Sequence, residues 1–445
     1  MYSKLRKTAG IAVAAAVVAS CLTQGAALSA AETAATPETY DIVALGDSLA
    51  AGYEHGFTAE SVPYGFVEHV YEQALFQGLR AEYENYGVIG LKSEGLSKWV
   101  AAAAAGEASV GKDSIQPGLS DPRADQIFAQ TAQLKKDLQE AELVLIAIGG
   151  NDFLSLIKNL QNGDSPAAYE DMAPADQQAL QTALDSLLSG YEQQLKATIE
   201  EVRKLQPNAQ IVVANQYLPI PFAKIKGEVM YYIPQSTAEF LVDGQAKLLE
   251  ILEDVIGEFE AEQVDIKMAD AAAAIEKNVL IYTNVGKKGE EQDVHPTRDG
   301  YAAMGKAFAE AIFGEFKTVS KKPAGVPISV VVNGKELKTS YTPRVKNGRT
   351  FVAIADITDA IGAARTWDAK TNTATIKLKN RTVELTIGAK TIKVDGKTVP
   401  LNAEPAYFEQ FPGEKKTYVP LAALSEGLGL QVEYREILDT AFINP

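Results

Sequence analysis

At 445 residues, 46% of them apolar, the chain is too long for one ordinary core and too apolar for disorder, which predicts two or three globular domains. Its formal charge of −16 argues against nucleic acid or another polyanion as partner. The one cysteine, Cys21, and the three histidines leave no disulfide or cysteine-metal chemistry for the body of the chain and few sources of an imidazole.

Residues 1–30 read as an export signal. Lys4, Arg6 and Lys7 precede an apolar run from Ile11 to Val18, and small residues ending Ala27-Leu28-Ser29-Ala30 offer a cleavage site. The run is too short for a permanent membrane span. Val18-Ala19-Ser20-Cys21 also resembles a bacterial lipoprotein box with Cys21 acylated, so secretion is the expectation and lipid anchoring at the cell surface its alternative. Ala31 to Glu38 follows as a flexible lead-in.

Ile42-Val43-Ala44-Leu45 is a short apolar run stopped by Gly46-Asp47-Ser48, which predicts a buried strand with Ser48 just past its carboxyl end. Phe66, Val67, Val70, Tyr71, Ala74 and Leu75 recur at helical spacing and end near Gly78. A second strand is predicted over 81–88, a helix over 96–105, a loop over 106–122 and a helix over 124–140. Leu143 to Gly149 has the length and branching of a central parallel strand. A long helix over 175–205, a strand over 210–214, a proline-bearing insertion or lid over 216–233, a helix over 236–263 and a strand over 264–268 come next. Asp293-Val294-His295-Pro296 then leads into a helix with Tyr301, Met304, Phe308 and Ile312 inward. Strands alternating with helices predict a parallel sheet covered on both faces, with right-handed crossovers.

Open sheets of this kind react with ligands beyond the carboxyl ends of their strands. Ser48 stands there, where it is either a helix cap or a nucleophile that needs a base and donors for an oxyanion. His69 falls on a helix and reads as a partly exposed surface residue, and His55 is near Ser48 only in sequence. His295, after the fifth strand, reaches the same sheet edge as Ser48 and suits a general base. Gly149-Gly150-Asn151-Asp152 ends the third strand, where Asn151 either caps a helix or presents its amide to negative charge. Asn85 to Gly90 ends the second, where a glycine offers a bare N–H.

Gly46-Asp47-Ser48-Leu49, the glycine after the second strand, Gly149-Gly150-Asn151-Asp152 and Val294-His295-Pro296 together resemble the ordered blocks of the GDSL, or SGNH, hydrolases, over about Tyr40 to Phe316. That resemblance implies a flavodoxin-like three-layer sheet and esterase or lipase activity, with no metal or organic cofactor. It makes Ser48 the nucleophile, His295 the general base, and Ser48 N–H, Gly90 N–H and the Asn151 side chain the oxyanion hole, with Gly90 rather than Gly87 as the family glycine. The family places an aspartate three residues before the histidine, where this chain has Gln292. The nearest acid is Asp293, two before; either Asp293 or a backbone carbonyl orients His295.

Ser320 to Pro327 reads as a linker, and from Ile328 short β-like runs repeat. Thr350-Phe351-Val352-Ala353-Ile354 returns as Thr417-Tyr418-Val419-Pro420-Leu421, and Trp367 as Tyr434, 67 residues on. Each half reads as a hairpin, a strand, a short helix and another hairpin. This part resembles the stalk domain named after the N-terminal domain of copper amine oxidases, common on secreted proteins of Gram-positive bacteria. No copper site is expected, since the segment has no His, Cys or Met. Trp367 and Tyr434 are expected to pack in its core rather than stack on a sugar.

The expected organisation is a signal peptide (1–30), an α/β SGNH hydrolase domain (31–319), a linker (320–327) and a smaller duplicated β-rich α+β domain (328–445). The expected function is secreted serine esterase or lipase, acting on lipid or acylated carbohydrate, with cell-wall attachment through the second domain and no nucleic acid partner. The alternative is a non-catalytic envelope-binding or scaffold protein with a degenerate hydrolase domain.

Overall fold

In a computed structural model the described residues are 38–159, 161–162, 165–220, 222–225, 228–287 and 293–445. The export signal with Cys21, most of the lead-in, and Gln292 lie outside them. Strands β1 (Tyr40–Gly46), β2 (Ala81–Gly87), β3 (Leu143–Ala147), β4 (Gln210–Ala214) and β5 (Ile266–Ala269) form one sheet in the order β2-β1-β3-β4-β5. Every neighbouring pair is parallel. This is the flavodoxin-like order, and its direction reverses between β1 and β3, which opens a crevice at their carboxyl ends.

Alternation along β1 explains its unbroken apolar run. Ile42 and Ala44 enter one core, which contains Phe66 and Val70 of α1 (Phe66–Phe76) and Tyr301, Met304 and Phe308 of a helix over Arg298–Phe313. Val43 and Leu45 enter the other, with Trp99 of α2 (Ser93–Ala105), Leu184 and Ile199 of a helix over Pro174–Leu205, and Leu252 of one over Gln235–Ala261. A strand buried on both faces has no polar side to show. In chain order, Gly150–Asn159 is α3 and these three long helices are α4, α5 and α6. Among the described residues no helix is long and apolar enough to cross a membrane.

Two helical expectations change. The segment 124–140 splits into Ala124–Phe128 and Thr131–Glu140, and at the break the Thr131 hydroxyl donates back to the Phe128 carbonyl and accepts from Trp99 Nε1. Within the predicted loop 106–122, Lys112–Ile115 makes one helical turn that buries Ile115. His69, expected at the surface, has a side chain only 12% exposed. It packs where α1 crosses α6 at Gly305, whose missing side chain makes room for the ring, and burial pushes its pKa down to about 4.

The second domain is built from antiparallel hairpins whose two halves interlock. Ser329–Val332, from the first half, pairs in parallel with Thr440–Asn444 from the second. Thr373–Leu378 and Thr391–Val394, one from each half, flank Arg381–Thr386. Trp367 and Tyr434 are not in the core: they are 44% and 52% exposed. Their strands, Ala364–Asp368 and Gln431–Arg435, are sheet edges, and the repeat preserves that edge position rather than burial.

Candidate active site

The turn after β1 is fixed by its neighbour β3. Gly46 has φ +146°, and a Cβ there would stand 2.0 Å from the Ala147 carbonyl oxygen, so only glycine fits. The Asp47 N–H donates to that same carbonyl at 3.0 Å. Asp47 is buried; its Oδ1 accepts the Leu49 N–H at 2.9 Å, and burial pushes its pKa up to about 7 against that bond. Asn85, at the end of β2, braces the turn from the other side by donating from Nδ2 to the Ala50 carbonyl at 2.7 Å.

This turn carries Ser48 to the crevice, where His295 meets it: His295 Nε2 is 2.7 Å from Ser48 Oγ. Asp293 Oδ1 lies 2.6 Å from His295 Nδ1 and also accepts the His295 backbone N–H at 2.6 Å. A side chain, not a backbone carbonyl, therefore meets Nδ1. Burial acts to raise the Asp293 pKa, but the His295 hydrogen bonds and charge outweigh it and hold the carboxyl below its ordinary value.

Asn151 opens α3 and lines the same hollow. Its Nδ2 donates to the Leu91 carbonyl at 3.0 Å and reaches Asp47 Oδ2 only at 3.4 Å, so one of its N–H bonds is loosely held. Gly90 has φ +83°, a left-handed turn that favours glycine, and its carbonyl accepts from Gln116 Nε2. Gly90 is not among the residues that line the hollow. Neither the Ser48 nor the Gly90 N–H donates to another described residue. Gly87 has a packing role instead: a Cβ there would meet the Ala51 nitrogen at 2.2 Å. His55 is exposed.

Sequence reasoning missed the residues that hold the histidine loop. Tyr217 donates its hydroxyl to the Val294 carbonyl at 2.7 Å. Asn284 gives its backbone N–H to the His295 carbonyl at 2.9 Å, and its Nδ2 reaches that carbonyl and the Pro296 carbonyl. The Tyr53 ring leans on the imidazole with centroids 4.3 Å apart. Of the segment 216–233, residues 216–219 line the hollow, and Phe222–Ile225 pairs with Glu228–Tyr231 as a hairpin. The hollow holds about 560 Å³, open solvent included, walled by Leu49, Phe153, Leu154, Leu218, Pro219 and Leu248. Among the described residues no three His, Cys, Asp or Glu side chains are grouped to hold a metal ion. A nucleophile, a base with its orienting acid and N–H donors around one hollow suit acyl transfer.

Residues 42–308 match the family described as GDSL-like Lipase/Acylhydrolase, and residues 331–443 match the Copper amine oxidase N-terminal domain. "Uncharacterized protein YpmR" of Bacillus subtilis (strain 168) is 23% identical over 197 residues, 43% of this chain; the match spans 62% of that relative's length. Among solved structures, the lipase Lip_vut3 from a goat rumen metagenome is 16% identical with a TM-score of 0.40, covering 62% of this chain and 99% of that one. Phospholipase A1 from Streptomyces albidoflavus NA297 is 17% identical with a TM-score of 0.40, covering 62% and 98%.

Proposed function

This chain belongs to the GDSL-like lipase/acylhydrolase family, and on that premise we propose that it hydrolyses carboxylic esters with Ser48 as nucleophile. The observation that carries the reading is the 2.7 Å approach of His295 Nε2 to Ser48 Oγ. Nε2 takes the hydroxyl proton as Oγ bonds to the ester carbonyl carbon, and Asp293 holds the imidazole and offsets its charge. The negative charge that develops on the carbonyl oxygen is met by the Ser48 N–H and the Asn151 amide, which line the hollow, and the family resemblance adds the unengaged Gly90 N–H, from outside that lining, as a third donor. The carbon–alcohol bond then breaks, and the alcohol leaves with the proton from Nε2. Water, deprotonated by the same nitrogen, cleaves the acyl-enzyme, releasing the acid and restoring the hydroxyl.

Substitution of Ser48 by Ala should remove turnover of a short p-nitrophenyl ester and labelling by a fluorophosphonate, with an unchanged circular-dichroism spectrum. Undiminished turnover, or absence of labelling in the parent protein, would refute the reading. Export is a further part of the proposal and rests on the sequence of residues 1–30 alone. The amino terminus of the protein recovered outside the cells tests it: a start near residue 31 supports secretion, and an acylated Cys21 supports anchoring. Attachment to the cell wall through residues 328–445 is likewise proposed, and binding of the full chain to purified walls decides it.

A further inference from the structure

The polar side chains around the hollow spend most of their N–H and O–H donors on the protein, not on the space. Gln216 Nε2 donates to the Ile148 carbonyl at 3.0 Å. Gln245 Nε2 donates to the Gln216 carbonyl at 2.9 Å and to Glu276 Oε1 at 2.7 Å. The Tyr217 hydroxyl is given to Val294 and one Asn151 N–H to Leu91. What remains toward a ligand, beyond the reacting groups and the side-chain oxygens of Gln216 and Gln245, is hydrocarbon from Leu49, Phe153, Leu154, Leu218 and Leu248, which makes up most of the lining. A pocket that recognises a sugar needs donors and acceptors aimed at its hydroxyls, and burying those hydroxyls against hydrocarbon leaves them unpaired.

We infer that this hollow holds the acyl group of the ester, and that the acyl group is an apolar chain longer than acetyl. The inference rests on the serine-esterase reading above. The acyl group stays bonded to Ser48 through the second half of the reaction, so it must lie against the walls that adjoin that residue, beginning with Leu49. The alcohol takes its proton from His295, whose side chain is 18% exposed, and leaves past it to solvent. Acetylated carbohydrate, with a polar alcohol and an acyl group of two carbons, uses none of these walls.

The test uses the full chain and p-nitrophenyl esters from acetate to decanoate. Each methylene buried from acetate onward should raise kcat/KM about fourfold until the hollow fills. In Leu248→Trp, with folding checked by its thermal transition, the ratio of kcat/KM for hexanoate to that for acetate should fall at least tenfold. A parallel series of acetate esters with lengthening alcohols should stay nearly flat. A maximum at acetate, a rise that follows the alcohol instead, or faster turnover of a peracetylated monosaccharide overturns the inference. If the Ser48→Ala variant retained turnover, the serine-esterase reading itself would fail. Turnover that needs Ser48 but falls with chain length sinks only the acyl assignment.

Discussion

Gln431 pairs with Ala81 as a neighbouring strand would. Its Oε1 accepts the Ala81 N–H at 3.1 Å and its Nε2 donates to the Ala81 carbonyl at 2.8 Å. Ala81 begins β2, the outer strand of the parallel sheet, so a side chain of the second domain takes the edge-side hydrogen bonds of that strand's first residue. Nearby, Asn444 Nδ2 caps the end of α1 through the Leu75 and Leu79 carbonyls, and Phe442 meets Phe76 edge-on at 4.8 Å. Val331 and Phe442 belong to the same apolar cluster as Ile42 and Ala44. The second domain is docked on the first, not suspended from it.

Two cations lie in this interface: Arg80 donates to the Gly429 and Pro445 carbonyls, and Arg435 meets an acid. Arg435 Nε lies 2.9 Å from Glu72 Oε1, with the two side chains 17% and 3% exposed. Removing the cation alone strands a buried carboxylate, so Arg435→Met should cost about 3 kcal/mol in urea unfolding. Adding Glu72→Leu should restore most of that loss, since the pair then goes as a unit. Equal losses in the single and double variants would mean that packing, not charge, is responsible.

The Tyr217 hydroxyl touches the loop that carries His295 but not the imidazole. Tyr217→Phe keeps the ring and removes the brace, so kcat should fall by about tenfold through misplacement of the base while KM stays within about twofold. Steady-state kinetics on one short ester, with the rate of fluorophosphonate labelling as a second readout, distinguish this from lost substrate binding. An unchanged kcat would show that Asn284 alone sets the loop.

Glu68 is buried on α1, where its Oε2 accepts the Gly65 N–H at 2.6 Å. Burial pushes its pKa up to about 7, against the opposing pull of the Gly65 bond, Arg435 and Tyr83. Between its ordinary 4.5 and about 7 the folded chain keeps a proton that the unfolded chain has released, so this group's contribution falls as pH rises through that window. Asp47 acts in the same sense, with its pKa pushed from 3.8 up to about 7. His69 acts in the opposite one: the unfolded chain binds its proton below 6.5 and the folded chain only near 4, so stability is lost as pH falls between them. Glu68→Gln keeps an acceptor and removes one of the falling contributions. Relative to the parent it should gain up to about 3 kcal/mol between pH 4 and pH 8, measured by urea unfolding at each.

Exposure of Trp367 makes it dispensable to the fold. Trp367→Ala should change stability by less than about 1 kcal/mol, whereas Trp99→Ala, from a residue with no exposed surface, should cost about 3–5 kcal/mol. Comparable losses for the two would place Trp367 in a packed environment after all.

The strands were legible because each side of the sheet demands an apolar residue, which writes Ile42-Val43-Ala44-Leu45 and Leu143-Val144-Leu145-Ile146 as unbroken runs. Ser48, Asn151 and His295 were legible as candidates because each follows a strand, and strand ends gather at one rim. The orientation of His295 was not. Whether an acid two positions earlier reaches Nδ1 depends on a turn held by Asn284, 11 residues before His295, and by Tyr217, 77 before Val294. The wall of the hollow was hidden for the same reason: Phe153, Leu218 and Leu248 converge from three separate segments, of which only the one with Leu248 carries a helical period and the one with Leu218 reads as a proline-bearing insertion. Trp367 misled because a repeated aromatic marks a shared place in the repeat, and that place is a sheet edge.

Asn444 bonds to the Leu75 carbonyl across 369 positions of chain, a separation with consequences for synthesis. As the polypeptide leaves the ribosome, the end of α1 and the outer strand beside it stay bare until Phe442 and Asn444 have been made. A contact closed over so long a loop forms late, and until it forms the nascent hydrolase shows an apolar face and an unpaired strand edge to its neighbours. Refolding at high concentration should therefore lose material to aggregation, and the loss should fall with dilution.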